Sequence, residues 1–552
     1  MTGKWTLRAF VVFVAAALFA SAAAAGDILS DYQSKYQKAS FDSAREDVVK
    51  EIAATGKPEA LKALQWCQGA AKQALDEARK ESDKAHAKLV PIRDKYEARM
   101  HEWVDDEKKH GRVPDVTRPP KFPEYDEFLQ ANADVENAEK RVVVSQALIS
   151  TILDLHGECL AKLAPDAQKV VREEWTKTRL NSKDWGVRAE LYEILGHAPL
   201  EWAVEILAAA VQGPDGTEHD PRALVLAVDG LAGRDAAKVT PVLVSRIDDV
   251  RWLVRAAVVA ALENTPSKEG IDAVVKRMQK EDGRLKGDCA RALKALTGKD
   301  LPANPEVWRV WWESNREKWT GKPPAPDPNA PLTPFAEADK KDAPSERKTG
   351  FFGIEIESKR VVFVIDVSGS MTWEMGGKGP EAKMARAPCA KEELKRCIGG
   401  LEDGTLFDII FFSTSVHVWK ADMQKADAKI RGEARAYVDS AEVMGATNTY
   451  DALEAAFALG DMGKGKKRES DPTGDARMDT IVFLSDGKPT LGRITDPDKI
   501  RSAVRDWNKA RRIAIHSIAF GVSAGPSKDR EGADPVFMKG LATDSGGKYV
   551  EK

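Results

Sequence analysis

The chain has 552 residues, with 84 Lys and Arg against 87 Asp and Glu and a formal net charge of -3. That length calls for more than one domain. The near-balanced charge supplies no positive field to hold a nucleic acid, and the composition is that of a soluble protein able to bury large cores.

In chain order, Lys4 and Arg8 form a short basic start, 9–20 is an apolar run rich in Ala, and Ala23 and Ala25 give an A-x-A pattern before Gly26. This is the pattern of a secretory signal peptide over 1–25. It predicts an exported chain, periplasmic, in the cell envelope or secreted. A retained N-terminal anchor is the other reading, although the apolar stretch is short for a membrane span. No other segment reads as a span, and no lipid-attachment Cys follows the expected cleavage point.

The five cysteines, Cys67, Cys159, Cys289, Cys389 and Cys397, show no C-x-x-C spacing, so a zinc site is not indicated. Cys67 and Cys159 fall on two helices expected to pack together. A bridge between them stays open, against the reading of all five as small buried apolar residues.

Residues 27–180 read as helix. Over 59–110 apolar residues such as Leu61, Leu64, Ala71, Leu75 and Ala78 recur at helical spacing, and Pro91 is expected to bend or interrupt that helix. Four prolines within 113–123 force a turn, after which 124–163 is helical again. The pattern predicts an antiparallel hairpin, either a stalk or docking arm or a cap on the next domain.

Residues 181–319 carry a repeat. Val187-Arg188-Ala189, Pro221-Arg222-Ala223 and Val254-Arg255-Ala256 recur at near-constant spacing, with Gly287-Asp288-Cys289 as a degenerate fourth copy. Asp184, Asp220 and Asp249 stand near the expected helix starts. A helical pair of this length cannot bury its own apolar face, so neighbours must stack into a solenoid. The pattern resembles HEAT-type repeats, and the resemblance implies a protein-binding scaffold. Trp308, Trp311, Trp312 and Trp319 follow at helical spacing and read as the helix that closes the solenoid, a carbohydrate- or membrane-binding stripe being the alternative. Residues 320–350 hold seven prolines among charged residues, the composition of an extended, partly stiff linker.

From 355 to 552 apolar runs alternate with helical segments. Strands are expected at 360–366, 406–413, 480–486, 514–521 and 548–551, with a short edge strand at 416–420. Helices are expected at 381–401, 426–441, 449–460, 497–510 and 535–545. This is the pattern of a doubly wound α/β domain with a mostly parallel sheet, whose ligands bind beyond the carboxyl ends of the strands. The polar residues gather there: Asp366 ends the first strand, Ser368 and Ser370 follow it, Asp486 ends the strand at 480–486, and Thr447 lies in a loop before a helix. Two carboxylates and three hydroxyls are hard oxygen ligands, suited to Mg²⁺, Mn²⁺ or Ca²⁺ and not to zinc or copper. With few charged ligands, a bound cation keeps positive character and an open position for a partner's carboxylate.

Three motifs in order, Asp366-Val367-Ser368-Gly369-Ser370-Met371, Gly445-Ala446-Thr447-Asn448-Thr449-Tyr450 and Phe483-Leu484-Ser485-Asp486-Gly487, resemble the von Willebrand factor A (vWA) family, a Rossmann-like fold. The resemblance covers about 195 residues, to the end of the chain, and implies a metal-ion-dependent adhesion site at Asp366, Ser368, Ser370, Thr447 and Asp486. Thr449 competes with Thr447 as the Thr ligand, and Thr447 stands where the family's Thr does relative to the following helix. One departure stands out, a charged insertion at 461–478; the loop 372–380 after the first motif is Gly-rich and lies close to the expected metal. His417 and His516 fall within strand patterns and not at motif positions, so an enzyme is not expected. The expected function is an exported binding protein that grips an acidic group of a protein partner through the cation. The alternatives are a cell-envelope component in which the metal only stabilises the fold and, more remotely, a hydrolase.

Overall fold

A computed structural model describes residues 29–39, 42–117, 119–213, 216–321, 350–375, 383–459, 477–521 and 532–552. The expected signal peptide, nearly all of the proline-rich linker, 376–380 of the Gly-rich loop and 461–476 of the insertion lie outside these residues.

After α1 (Asp42–Ala54), two long helices, α2 (Pro58–Lys109) and α3 (Glu124–Lys162), form the expected hairpin. Of the bend or interruption expected at Pro91, the interruption does not occur, because α2 runs through it. Proline removes one helical hydrogen bond and crowds the preceding turn. Here the turns on either side of it are held by packing, with Leu89, Tyr96, Met100 and Val104 of α2 in one core with Phe128 and Val135 of α3. Tyr96 and Phe128 stack with ring centroids 4.9 Å apart.

The chain divides into two compact units, and the division cuts both long helices. One unit takes Met1–Lys80 with Arg141–Leu207, and the other takes Glu81–Lys140 with Ala208–Lys552. The first holds α4 (Pro165–Trp175) and α5 (Trp185–His197), and α6 (Glu201–Val211) crosses the division. Asp184 caps α5 by accepting a hydrogen bond from the Gly186 N–H.

In the second unit, α7 (Pro221–Leu231), α8 (Ala236–Val244), α9 (Trp252–Glu263), α10 (Lys268–Met278), α11 (Arg284–Thr297) and α12 (Pro305–Asn315) follow. They form two rows: α9 packs between α7 and α11, and α10 packs against α8 and α12. Asp220 caps α7 by accepting from the Arg222 N–H. Asp249 bonds the Arg251 N–H but stands outside α9, whose first turn has no side-chain cap. On α12, Trp308 and Trp312 are buried, and Trp312 donates to Asp272 of α10 at 2.6 Å. The Trp-rich helix therefore packs against α10.

The remaining strands are β1 (Gly350–Phe351), β2 (Ile354–Glu355), β3 (Arg360–Asp366), β4 (Leu406–Phe412), β5 (Val416–Val418), β6 (Gln424–Lys425), β7 (Thr480–Ser485), β8 (Ala514–Ala519) and β9 (Tyr549–Glu551). The sheet order is β5-β4-β3-β7-β8-β9, with β6 paired to β4. In this sheet β3, β4, β7, β8 and β9 are parallel and the short β5 and β6 antiparallel, while β1 and β2 pair antiparallel in a separate two-stranded sheet. The helices between them are α13 (Arg386–Gly400), α14 (Ala428–Ser440), α15 (Thr449–Leu459), α16 (Pro497–Asn508) and α17 (Pro535–Ser545). Val361, Phe363 and Ile365 share a core with Leu394 and Ile398 of α13 and Val438 of α14. Val362 and Val364 on the opposite face are also fully buried. Burial on both faces is what continuous apolar strands predict. The two-residue strands β1, β2 and β6 were not expected, since so short a ladder leaves no periodic trace.

All five cysteines are free, buried thiols. Among the described residues no helix is long and apolar enough to cross a membrane.

Candidate functional site

Strands β3 and β7 are neighbours, with Ile365 opposite Leu484, so Asp366 and Asp486 leave the sheet side by side at its carboxyl end. The loop after β3 folds back at once. The Ser368 N–H donates to Asp366 Oδ1 at 2.7 Å, and Ser485 Oγ donates to Asp366 Oδ2 at 2.6 Å. A short 3₁₀ turn, Gly369–Thr372, then brings Ser370 Oγ within 3.2 Å of Ser368 Oγ and lets it donate to Asp486 Oδ1 at 2.7 Å. The loop before α15 is tied to the same end: the Met444 N–H bonds the Val367 carbonyl, and the Gly369 N–H bonds the Gly445 carbonyl.

Gly445 has φ +79°, and a side chain there would meet Thr414 Oγ1 at 2.3 Å, so both backbone and space require glycine. Thr447 exchanges hydrogen bonds with Thr490: its N–H donates to Thr490 Oγ1, and its carbonyl accepts from the Thr490 N–H. A Cβ on Gly487 would lie 3.2 Å from Thr447 Oγ1 and 3.9 Å from Ser370 Oγ. The Thr447 and Ser370 hydroxyls therefore flank one point. Thr449, the competing threonine, is buried at the start of α15 with no hydrogen-bond partner for its Oγ1. Asp366, Ser368, Thr447 and Asp486 are buried, while Ser370 is partly exposed and opens the cluster to solvent.

Both carboxyls are drawn toward the protonated form. Burial, then the charge of Asp486, pushes the Asp366 carboxyl up to about 7. Burial raises Asp486 as well, against the opposing effect of Arg386. Arg386 Nη1 donates to Asp486 Oδ2 at 2.7 Å, both side chains being almost wholly inaccessible. Sequence reasoning missed this residue. The available signal was a basic side chain in the first turn of a helix, where the dipole disfavours positive charge and an acidic neighbour is needed to hold it.

Of the two buried carboxylates, Asp486 is bonded to a guanidinium, whereas Asp366 is held by the neutral donors Ser368 N–H and Ser485 Oγ. The donor set of two carboxylates and three hydroxyls fits a hard divalent cation, whose charge would favour the ionised carboxyls. Among the described residues no group of three or more His, Cys, Asp or Glu is arranged to hold a metal, so a cation here would depend on the hydroxyls. His417 lies exposed on the edge strand. His516 sits mid-strand opposite Val482, accepts the Lys548 N–H, and is pushed down to about 4 by burial and then by Lys548.

Residues 359–550 match the family model for the von Willebrand factor type A domain. Inter-alpha-trypsin inhibitor heavy chain H4 of Homo sapiens is 30% identical over 195 residues, which is 35% of this chain and 18% of that protein. Heavy chain H1 of Sus scrofa is 30% identical over 164 residues, 30% of this chain and 16% of that protein. The chain spans less than a fifth of the length of these curated relatives. A solved von Willebrand factor type A structure from Catenulispora acidiphila has 19% identity, covers 36% of this chain and 39% of that one, and has a TM-score of 0.26. With the motif order and the parallel sheet, the family match identifies residues 359–550 as a von Willebrand factor type A domain.

Proposed function

We propose that Asp366, Ser368, Ser370, Thr447 and Asp486 hold a Mg²⁺, Mn²⁺ or Ca²⁺ ion, and that the domain binds a partner protein through it. An acidic side chain of the partner completes the coordination, and the chain acts as an exported, non-enzymatic binding scaffold. The observation that carries this reading is the charge imbalance at the carboxyl end of the sheet. Asp366 and Asp486 are both fully buried, and of the two only Asp486 is bonded to a guanidinium, that of Arg386. A divalent cation corrects that deficit and leaves positive character directed at Ser370, the partly exposed member of the set. The helical stack and hairpin then serve as the frame that presents the domain.

The test is capture of partners from the envelope fraction of the exporting cell, in Mg²⁺ and in EDTA, with wild type and Asp366→Ala. Capture by the wild type in Mg²⁺ alone supports the reading. If EDTA changes neither capture nor melting temperature, the metal reading fails. If EDTA lowers the melting temperature and leaves capture intact, the cation only stabilises the fold.

A further inference from the structure

The hairpin end, 81–140, belongs to the same compact unit as the vWA domain, and it touches all three loops of the candidate site. At the proline-rich turn, a Cβ on Gly369 would lie 3.1 Å from the Val116 carbonyl oxygen, so the turn backbone sits against the D-x-S-G-S loop. Val116 also shares a core with Met444 and Leu491. Those two residues belong to the other site loops: the Met444 N–H bonds the Val367 carbonyl, and the Leu491 N–H bonds the Thr447 carbonyl. Further along α3, Tyr450 donates to Glu139 Oε1 at 2.8 Å, and Ser82 of α2 donates to Glu139 Oε2. Thr495 donates to Glu136 at 2.8 Å.

The domain's side of this contact is itself a closed network. Arg493 bonds Asp451 at 2.7 Å and lies 5.2 Å from the Tyr450 ring. Asp451 accepts from Asn448, beside Thr447, and Asn448 also bonds the Thr414 carbonyl. A cavity of about 590 Å³ also lies between hairpin and domain, bordered by Tyr96, Met100, His101, Val416, Tyr437 and Met444.

We propose that the hairpin end is a clamp on the metal-site loops, with Glu139, Tyr450 and Val116 as positioning residues, so that hairpin docking and cation binding strengthen each other. The inference rests on the metal reading above. The physical basis is that a cation site needs its oxygens held at fixed spacing, and the loops carrying Ser370, Thr447 and Asp486 are held in part by contacts that α2, α3 and their turn supply. Linkage then requires reciprocity: whatever factor docking contributes to cation affinity, the cation contributes to docking.

The experiment uses the full chain with Mn²⁺ alone as probe. Binding is read from the loss of the free Mn²⁺ paramagnetic resonance signal, and docking from amide exchange over 113–117 and 119–123. Glu139→Ala and Tyr450→Phe are expected to weaken Mn²⁺ about tenfold, within the range usual for coupled sites. Glu139→Gln keeps an acceptor for Tyr450 and is expected to stay near wild type. In the wild type, Mn²⁺ is expected to slow exchange at the turn. The clamp is overturned if folded Glu139→Ala and Tyr450→Phe bind Mn²⁺ as the wild type does, or if Mn²⁺ leaves exchange at the turn unchanged. A wild type that binds no Mn²⁺ overturns the metal reading, and the clamp with it.

Discussion

The helical stack and the carboxyl end of the vWA sheet both bury carboxylates, and they treat them differently. In the stack, Asp249 bonds Arg251 at 2.8 Å and Arg246 at 3.3 Å, and Glu281 bonds Arg255 and Arg277 at 2.6 Å each. Burial works against the Asp249 charge, yet Arg251 and Arg246 hold its carboxyl below the usual carboxylate range. At the end of the sheet the ratio is reversed, with two carboxylates to one guanidinium and both carboxyls raised by burial. A buried charge left without a partner costs several kcal/mol. The difference teaches that Asp249 and Glu281 of the stack are fully matched by guanidinium partners, whereas Asp366 and Asp486 at the end of the sheet have one guanidinium, on Asp486, for two buried carboxyls.

Arg386→Ala tests the contrast most strongly. Removing the one guanidinium is expected to cost about 3–5 kcal/mol in EDTA, read by denaturant unfolding, and clearly less in saturating Mg²⁺, because the cation supplies the lost charge. Asp249→Ala in the stack should cost a similar amount with and without Mg²⁺. If both variants respond to Mg²⁺ alike, the contrast between the two regions is not real.

Asp366→Ala addresses the cation directly. At a cation concentration about 100 times its dissociation constant the wild type should gain about 2.7 kcal/mol, and the variant should gain nothing, with the circular dichroism of the helical half unchanged. A variant that still rises in melting temperature with Mn²⁺ would locate the cation elsewhere.

Asp408 of β4 provides a control, a buried acid away from the site. Its Oδ1 accepts the Ile409 N–H at 2.7 Å, its Oδ2 has no partner, and burial pushes the carboxyl up to about 7. The folded pKa lies above the unfolded value of about 3.9. Between these values the folded state keeps a proton that the unfolded state has released, so stability falls as pH rises from about 4 to 7. Asp408→Asn, which mimics the protonated acid, should stabilise by up to about 4 kcal/mol at pH 8 and by almost nothing at pH 4. Unlike the Arg386 effect, this gain should ignore Mg²⁺. An equal gain at both pH values would show that charge is not its cause.

The alternation of apolar runs with helical segments predicted the sheet, because fully buried parallel strands need apolar residues at every position, as in Val361 to Ile365. The motif spacing marked the loops that leave the strands, so the positions of Asp366, Ser370 and Asp486 at one end of the sheet were readable in advance. In α7–α12 each short helix has an apolar face that its neighbours cover.

What the sequence by itself determined is local or periodic: strands, helices, the hairpin, and which oxygen-bearing side chains stand at strand ends. Only the tertiary structure decided which residues meet across long separations. Arg386 finds Asp486 a hundred residues away, Val116 lies against Gly369, and Glu139 receives Tyr450. Pro91 stays inside a helix because packing on Leu89 and Tyr96 outweighs one lost hydrogen bond. Such contacts leave no periodic trace in a single chain, since they depend on how separately folded segments come together and not on the order of residues within any one of them.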